Sequence, residues 1–201
     1  MLIRPHDAAT DDSQWCDFVA GQGFGHLAVS GDGLVPVVVP TQFVLADDIV
    51  LLHLAKANPI FEAIEATPHA VLSVAGDWAY IPGAWKAIGA EDPALGIPTT
   101  YYAAVQMIGR VEVIDEPNAL AAILRRQLAD VEPADGGLAD PDVHRSHFRV
   151  IRGLQLTIDE VRAKFKYGGN ADAEHRAAVA DRLRQRGAPG DTAAASRVSL
   201  E

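Results

Sequence analysis

The sequence predicts a mainly antiparallel β-barrel with helices packed outside it, an α+β fold. Many short apolar stretches show the alternation that is typical of strands. Several of these stretches are separated by short turns rich in Gly and Asp, as in β-hairpins. Only a few intervening segments have the spacing of an amphipathic helix, and no internal repeat is visible. Short strands, tight turns and few helices together favour a barrel with an outer helical layer.

Length and composition indicate one globular domain. The chain has 201 residues, of which 49% are apolar and 22% are charged. Its 17 basic and 27 acidic residues leave a net charge of −10, which argues against a broad phosphate-binding surface but allows a local basic pocket. Cys16 is the only cysteine, so an intrachain disulfide and a four-cysteine zinc site are excluded. The sequence shows no signal peptide and no apolar run of membrane-spanning length, which favours a cytoplasmic location.

The first third of the chain is predicted to contain two helices and three strands. Apolar residues at positions 15, 18 and 19 share one face of the first helix. Asn58 is a suitable N-cap for the second helix, because Pro59 fits the first turn. The strand Leu34–Phe43 contains two prolines that cannot donate hydrogen bonds, so it should be an edge or bulged strand. The predicted strands span 24–30, 34–43 and 49–54.

The remaining elements alternate between strands, two helices and long loops. The segment 82–98 is predicted to be a long loop, and loops of this length inside a compact domain are often functional. Residues 188–201 are small and polar, which predicts a disordered tail after a domain spanning 1–187. The predicted strands span 69–75, 78–81, 100–114 and 148–158, and the predicted helices begin at Pro117 and at Ala171, the latter with Asn170 as cap and Gly187 past its end.

The stretch His53-Leu-Ala-Lys-Ala-Asn-Pro59 places a lysine and an asparagine between a predicted strand and a predicted helix. Lys56 would offer an ammonium group, Asn58 an amide and the helix start free backbone N–H groups, which together suit a phosphate monoester. Alternatively, Asn58 only caps the helix and Lys56 is a surface charge. Spacing alone favours this simpler interpretation.

A second basic stretch is Lys164-Phe-Lys-Tyr-Gly-Gly-Asn170. Lys164 and Lys166 are two apart on a predicted strand and therefore share a face, while Phe165 points to the other face. The Gly-Gly pair would let the backbone approach a ligand closely. The alternative is an exposed strand end followed by a helix cap at Asn170.

Aromatic residues flank the predicted loop 82–98, in the stretches Trp78–Trp85 and Ile97–Tyr102. Such residues can sandwich a flat ring, although burial in a core or interface is the more common use of aromatic side chains.

The stretch His144-Arg-Ser-His147 lies near two aspartates but lacks the four-residue spacing of a helical metal site. A solvated polar loop is therefore the preferred interpretation, and no metal site is predicted.

Several of these stretches, taken in order, resemble the PaiB-type FMN-binding negative transcriptional regulators. That family's patterns include His-x-Ala-(Arg/Lys)-x-Asn-Pro, Tyr-Ile-Ser-Pro-Ser-Trp, Val-Pro-Thr-Trp-Asn-Tyr with a following Gly-Arg-Val-Glu strand, and Lys-x-Lys-Leu-Ser-Gln-Asn. The matching stretches here are His53–Pro59, Tyr80–Trp85, Ile97–Tyr102 with Gly109–Glu112, and Lys164–Asn170.

The resemblance implies a split β-barrel like that of pyridoxamine-phosphate oxidases, forming a homodimer with FMN at the interface. By this resemblance Lys56 and Asn58 contact the phosphate, His53 lies on the strand leading to them, and Thr41 approaches the flavin from the neighbouring strand. The rest of the implied pocket, from the same or the partner subunit, consists of Trp85, Thr99, Lys166 and Asn170.

The chain departs from the family pattern on the side assigned to the flavin ring. Pro82-Gly-Ala-Trp-Lys86 lacks two hydroxyl groups of the pattern, Thr100-Tyr101 replaces Trp-Asn, and Tyr167-Gly-Gly169 lacks a hydroxyl and an amide. The residues assigned to the phosphate match the family pattern more closely than those assigned to the ring. An altered flavin, weakened FMN binding or loss of binding therefore stays open at this point.

Three functions are compatible with the residues. A flavin-dependent oxidoreductase would take hydride from a nicotinamide or another donor. A non-catalytic regulator is the second, although the best basic helix, 171–186, has a net charge of only +1, which does not favour direct DNA binding. The third is a split barrel with a deazaflavin or haem, for which the axial candidates would be His26, His53 and His69.

Overall fold

The computed structural model describes residues 1–133 and 139–198, and the chain divides into two compact units. The terminal unit comprises Met1–Trp15, Ala75–Val105 and Arg162–Glu201, and the sheet unit comprises Cys16–Val74 and Gln106–Val161. The helices are α1 (Asp12–Gln22), α2 (Ile60–Ala66), α3 (Pro117–Val131), α4 (Ala173–Arg186) and α5 (Asp191–Val198). The strands are β1 (Phe24–Val29), β2 (Val37–Gln42), β3 (Val44–Ala46), β4 (Ile49–Ala55), β5 (His69–Ile81), β6 (Thr99–Ile114) and β7 (Ile151–Lys166).

The sheet unit is organised around a seven-stranded sheet with the order β2-β1-β5-β6-β7-β4-β3. The pairs β1–β2, β1–β5, β3–β4 and β4–β7 are antiparallel. The strands β2 and β3 form its two edges, so the sheet does not close on itself. An open antiparallel sheet with accompanying helices confirms the predicted α+β fold class.

A seven-residue connection, 30–36, joins β1 to the antiparallel edge strand β2. Gly31 has a φ of +55°, a conformation that glycine adopts without steric cost. The register pairs Val29 with Val37 and His26 with Pro40. Because Pro40 has no N–H to donate, it is tolerated on an edge strand. The predicted edge position of this strand is confirmed.

The strand β4 has two distinct faces, and these set the surroundings of the candidate site. Val50, Leu52 and Leu54 are buried in the core, whereas Leu51 and His53 on the opposite face are half-buried. Side chains alternate across a strand, so His53 is directed away from the core residues of β4.

The helix α3 packs against β4 and forms a wall of the candidate site. The carboxylate of Glu116 caps its start by accepting hydrogen bonds from two backbone N–H groups of the first turn, at 2.9 and 2.7 Å. Leu120 and Ile123 are buried. They fit closely over Gly153 of β7, where an added Cβ would lie 2.7 Å from the Ile123 Cδ1 atom.

Most strands differ from their predicted bounds, several by a single residue, and the short strand β3 was not predicted. The strand β5 is continuous from His69 to Ile81, whereas the sequence predicts a break at Gly76-Asp77. Pairing within the sheet outweighs the weak local turn preference of these two residues. The strand β7 begins at Ile151 rather than at Phe148, because Pro141–Val150 forms a 3-10 segment whose first turn is capped by Asp140.

The terminal unit contains the helices α4 and α5. Gly187, with a φ of +61°, ends α4 as predicted. The predicted cap at Asn170 is wrong, since the Asp172 carboxylate accepts the His175 N–H at 2.9 Å instead. The helix α5 lies in the segment that composition predicts to be disordered. It is ordered by burial of its apolar side chains and by hydrogen bonds to Asp191, which compensate for its polar composition.

Within the described residues, no helix combines the length and the apolar character needed to cross a bilayer.

Gly109 provides a test of the sheet. A Cβ at this position in β6 would lie 1.8 Å from the Thr157 carbonyl oxygen of β7. We expect Gly109→Ala to lower the free energy of unfolding by about 1–3 kcal/mol, because the two strands must separate locally. Urea unfolding followed by circular dichroism measures this change.

Gly21→Ala is the matched control, since no atom lies within 4 Å of a Cβ at this position in α1. This variant should be as stable as the wild type or more stable by about 0.5–1 kcal/mol. Equal stability of the two variants would contradict the close approach of β6 and β7.

Candidate functional site

The eight predicted site residues fall into two sets, one in each compact unit. The sheet unit contains Thr41, His53, Lys56 and Asn58, and the terminal unit contains Trp85, Thr99, Lys166 and Asn170.

Lys56 lies in the turn that follows β4. Its backbone N–H donates to the Val150 carbonyl at 2.8 Å, which fixes the turn beside the start of β7. Its side chain is exposed and lines a cleft of about 610 Å³. Arg145 and Arg149 line the same cleft, so the structure brings three cationic side chains together around it.

The acidic residue in the lining of this cleft, Asp115, is already paired. Arg152 donates to its two carboxylate oxygens at 2.8 and 2.6 Å. This hydrogen bonding, aided by the charge of nearby Lys56, holds the pKa of Asp115 below its ordinary value. The Arg152 guanidinium lies 4.9 Å from the centre of the Phe61 ring. Asp115 is therefore a carboxylate at neutral pH and is directed to Arg152.

The other two cations of the cleft differ in their freedom. Arg145 donates to Asp142 at 2.8 Å and to Asn118 at 3.0 Å. Arg149 is exposed and has no hydrogen-bond or ion-pair partner among the described residues, and the same holds for the Lys56 ammonium group. Two of the three cations can therefore turn toward an anion without breaking a contact.

Asn58 caps the helix α2. Its Oδ1 atom accepts the Ile60 N–H at 3.1 Å, and its carbonyl accepts the Phe61 N–H at 3.3 Å. The free backbone N–H groups expected at this point are thus engaged, and α2 has only seven residues. The structure therefore shows Asn58 as a helix cap, the simpler of the two interpretations of this residue. Its Nδ2 group has no partner among the described residues and can still donate.

His53 and Thr41 do not line the cleft of Lys56. His53 Nδ1 is 2.6 Å from Gln127 Oε1, and the imidazole lines a separate cavity of about 320 Å³. Thr41 is buried, with 6% of its surface exposed, and its hydroxyl donates to the Gln42 carbonyl at 3.0 Å.

In the terminal unit, Lys166 and Thr99 are in direct contact. The Lys166 Nζ atom donates to Thr99 Oγ1 at 2.7 Å. The ammonium groups of Lys164 and Lys166 lie 5.7 and 6.0 Å from the centre of the Tyr102 ring. The predicted shared face of the two lysines is confirmed, and Phe165 is buried on the other side.

Lys164 is held by the N-terminal segment. Only 8% of its surface is exposed. Its ammonium group donates to the Leu2 carbonyl at 2.9 Å and lies 3.6 Å from the Asp7 carboxylate. The Lys164 ammonium group is therefore engaged by groups of the protein itself, so Lys166 is the lysine of the pair that is more available to a ligand.

Trp85 lies in a short 3-10 turn, Gly83–Lys86, that α4 holds in place. The Arg186 guanidinium is 4.6 Å from the centre of the indole ring. Arg182 donates to the Trp85 carbonyl and, at 3.2 Å, to that of Ala87. The ring is therefore oriented by its neighbours before any ligand arrives.

The Arg186 side chain is fixed by a buried carboxylate. Asp191 accepts from Arg186 at 2.7 and 2.5 Å and from the Ala188 N–H at 2.9 Å. The hydrogen bond from Arg186 lowers the pKa of Asp191 and raises that of Arg186.

The remaining predicted site residue, Asn170, is exposed in the turn before α4. Gly168, two residues earlier, has a φ of +90°, and a Cβ there would lie 2.3 Å from the Tyr101 hydroxyl. Gly168 therefore serves close packing against Tyr101.

Four residues that the sequence analysis did not select shape these surroundings: Gln127, Arg149, Arg186 and Asp191. Gln127 is 74 positions from its partner His53, and Arg149 is far along the chain from Lys56. No local pattern signals such pairings. Arg186 and Asp191 are five apart, but they face each other only because the chain turns at Gly187.

The family of the chain follows from a comparison of sequences. The model of the family described as "Putative FMN-binding domain" matches residues 1–160. The chain therefore belongs to this family, whose cofactor is FMN or a related flavin. No curated protein sequence matches the chain.

Solved structures of flavoproteins share the fold. An FAD- and haem-binding protein from Mycobacterium smegmatis matches with a TM-score of 0.63 and 19% identity, over 90% of this chain and 81% of that chain. A flavocytochrome from Azotobacter vinelandii matches with a TM-score of 0.61 and 20% identity, over 83% and 73% of the two chains. At these identities the likeness shows the fold alone, and with the open sheet it confirms the predicted split barrel.

The ion pair of Arg186 and Asp191, which positions the guanidinium beside the Trp85 ring, can be tested by mutation. We expect Asp191→Asn to lower the free energy of unfolding by about 1–3 kcal/mol at pH 7, because Arg186 loses a charged acceptor. The folded-state pKa of Asp191 is lowered, so its contribution is present above the ordinary pKa and is lost as the pH falls. The difference between variant and wild type should therefore shrink below about pH 4.

Urea unfolding at pH 7 and at pH 3.5, followed by tryptophan fluorescence, measures this difference. Asp181→Asn is the control, because its bond to Arg184 is between exposed side chains and should contribute less than about 1 kcal/mol. An equal loss in both variants, or no change with pH, would contradict the role given to Asp191.

Proposed function

We propose that the chain binds FMN and holds the phosphate in the cationic cleft of Lys56, Arg145 and Arg149. One observation supports this proposal above all. Lys56 and Arg149 are exposed in one cleft and have no partner among the described residues, while the neighbouring carboxylate of Asp115 is occupied by Arg152. A phosphate monoester, with its double charge and several acceptor oxygens, complements this donor set.

The local charge of the cleft is opposite to that of the chain. The protein carries a net charge of −10, so a cluster of three basic side chains is not a general property of its surface. A local basic pocket of this kind attracts an anion over short distances, since screening limits the attraction to about 8 Å at physiological salt. The donor set therefore suits one phosphate group rather than a polyanion.

Asn58 has a supporting role in this proposal. Its carbonyl groups cap α2, which leaves the Nδ2 group as the only donor that the side chain can give to a ligand. Lys56 and Asn58 are two positions apart at the end of β4, so the same turn would carry both contacts. Thr41 keeps its proposed place beside the flavin, although its hydroxyl already donates to Gln42, and His53 keeps its proposed place on the strand that leads to Lys56 and Asn58.

We also assign the ring side of the flavin to the terminal-unit residues named by the family resemblance. Trp85 is oriented by Arg186, and Lys166 is positioned by Thr99. These two side chains would offer a flat apolar surface and a cation to the ring, with Asn170 as a further donor. In the homodimer that the resemblance implies, the second copy of the chain would supply them.

When bound, FMN supplies a hydride acceptor, and the protein residues bind and orient it. We favour an oxidoreductase with a nicotinamide or similar donor over a PaiB-type regulator that contacts DNA. Arg182 and Arg186, half of the arginines of α4, are directed to the turn that holds Trp85. This reduces the basic surface that α4 could offer to a phosphate backbone.

Lys56→Ala tests the phosphate assignment. We expect FMN affinity to fall about 10- to 100-fold, since a hydrogen-bonded charge contact contributes about 1.5–3 kcal/mol. The affinity for riboflavin, which lacks the phosphate, should change less than threefold. Flavin fluorescence quenching during titration measures both constants, and the absorbance spectrum of the purified protein distinguishes flavin from haem or a deazaflavin.

Arg110→Ala is the matched control, because Arg110 is exposed on β6 and its removal changes the net charge by the same amount. Arg149→Ala should behave like Lys56→Ala. Equal losses for FMN and riboflavin, or a loss in Arg110→Ala as large as in Lys56→Ala, would contradict the assignment of the phosphate to this cleft.

A further inference from the structure

The sheet unit contains a second cavity that the proposed phosphate site does not use. Its volume is about 320 Å³, and it adjoins the cationic cleft, since Phe148 and Ile151 line both. Its walls come from β4, from α3 and from the 3-10 segment Pro141–Val150, and they are mainly apolar. Among the lining residues are His53, Leu124, Gln127, Leu128, His147 and Phe148.

A chain of hydrogen bonds fixes the polar end of this cavity. The Gln42 carbonyl can only accept, so the Gln127 Nε2 group, at 3.4 Å, must donate to it. The Gln127 Oε1 atom is then directed to His53 Nδ1 at 2.6 Å and accepts a hydrogen bond from it. Gln127 is buried, with 5% of its surface exposed, so this orientation is well constrained.

These hydrogen bonds determine which tautomer the His53 imidazole adopts. In the neutral imidazole only one nitrogen carries a proton, and the bond to Gln127 places that proton on Nδ1. The Nε2 atom is therefore a hydrogen-bond acceptor. It has no partner among the described residues, and the imidazole lines the cavity.

We propose that this cavity binds a small planar aromatic molecule that carries one N–H donor, and that His53 Nε2 accepts the hydrogen bond. Aromatic rings of His53, His147 and Phe148 and the aliphatic chains of Leu124 and Leu128 provide a surface for a flat apolar ligand. The Gln127 amide uses its oxygen for His53 and one of its two N–H groups for Gln42, so the His53 Nε2 atom is the acceptor that this chain of hydrogen bonds offers to a ligand.

The flavin ring itself fits this polar end poorly. The pyrimidine side of an isoalloxazine carries two carbonyl oxygens beside its N–H. The Gln127 amide donates one of its two N–H groups to Gln42, so it can donate to only one of these oxygens. Burying the other oxygen without a partner would oppose binding. The cavity therefore suits a ligand other than the flavin, and the proposal goes beyond the proposed function and does not depend on it.

Indole and benzofuran test the proposal in the wild-type protein. The two molecules have nearly the same shape, but benzofuran has an oxygen in place of the N–H group. Isothermal titration calorimetry should give a dissociation constant for indole that is about five- to tenfold lower than that for benzofuran, as one net hydrogen bond predicts. Equal constants, or no saturable binding of either probe, would overturn the proposal.

His53→Phe keeps a ring of similar size and removes the acceptor. This variant should bind indole and benzofuran with equal affinity, because only the affinity for indole should fall. His69→Phe is the matched control, because His69 is exposed on β5 and does not line the cavity, and it should keep the preference. Loss of the preference in His69→Phe as well would also overturn the proposal.

Leu124→Trp provides a variant that does not alter His53. Leu124 is half-buried in the wall of the cavity, so a larger ring can fill the space. This variant should lose binding of both probes, and retained binding would place the probes elsewhere on the protein.

The same titrations with saturating FMN separate this site from the flavin site. The indole constant should change less than twofold when FMN is added. Displacement of indole by FMN would overturn the proposal and assign the cavity to the flavin. A protein that binds indole but not FMN would instead contradict the proposed function alone.

Discussion

The candidate phosphate site depends on the ion pair between Asp115 and Arg152. Asp115 lies between the end of β6 and the start of α3, beside Lys56, and an unpaired carboxylate there would attract the lysine and repel an anion. Arg152 prevents this by binding both carboxylate oxygens. The guanidinium is itself positioned by the Phe61 ring. Because the pKa of Asp115 is held low, this arrangement persists throughout the neutral pH range.

The same principle, a carboxylate that engages an arginine before a ligand can, recurs in the terminal unit. Asp191 binds Arg186 and so fixes the guanidinium over Trp85. In both cases the effect of the ion pair on its neighbours goes beyond its contribution to stability. The pair decides which neighbouring group is left available: an ammonium group in the sheet unit and an indole ring in the terminal unit. Pre-arranged groups of this kind reduce the ordering that binding would otherwise require.

The sequence predicted the features that depend on local periodicity and turn chemistry. Alternation predicted the strands, the glycine turn at Gly31 predicted the β1–β2 hairpin, and the two-residue spacing predicted the shared face of Lys164 and Lys166. Features decided by distant partners were missed. The break predicted in β5 is overridden by pairing in the sheet, and the helix α5 is ordered by contacts that its own composition does not suggest. The environment of Lys56 belongs to this second class, because Arg149 is brought there only by the fold.

The stretch from His53 to Asn58 separates two kinds of chemistry over six positions. His53 still belongs to the alternating part of β4, so its ring is directed to the side covered by α3 and meets Gln127. Lys56 comes after the strand has ended, where the chain turns toward Val150 and the alternation no longer applies. The end of β4 therefore divides a stretch that forms a single motif in the sequence. The His53 imidazole lies in a mainly apolar cavity, and the Lys56 ammonium group lies in a charged cleft. Since the two cavities share the walls formed by Phe148 and Ile151, a ligand in one would lie next to a ligand in the other, which is the arrangement that a cofactor and a second small molecule require.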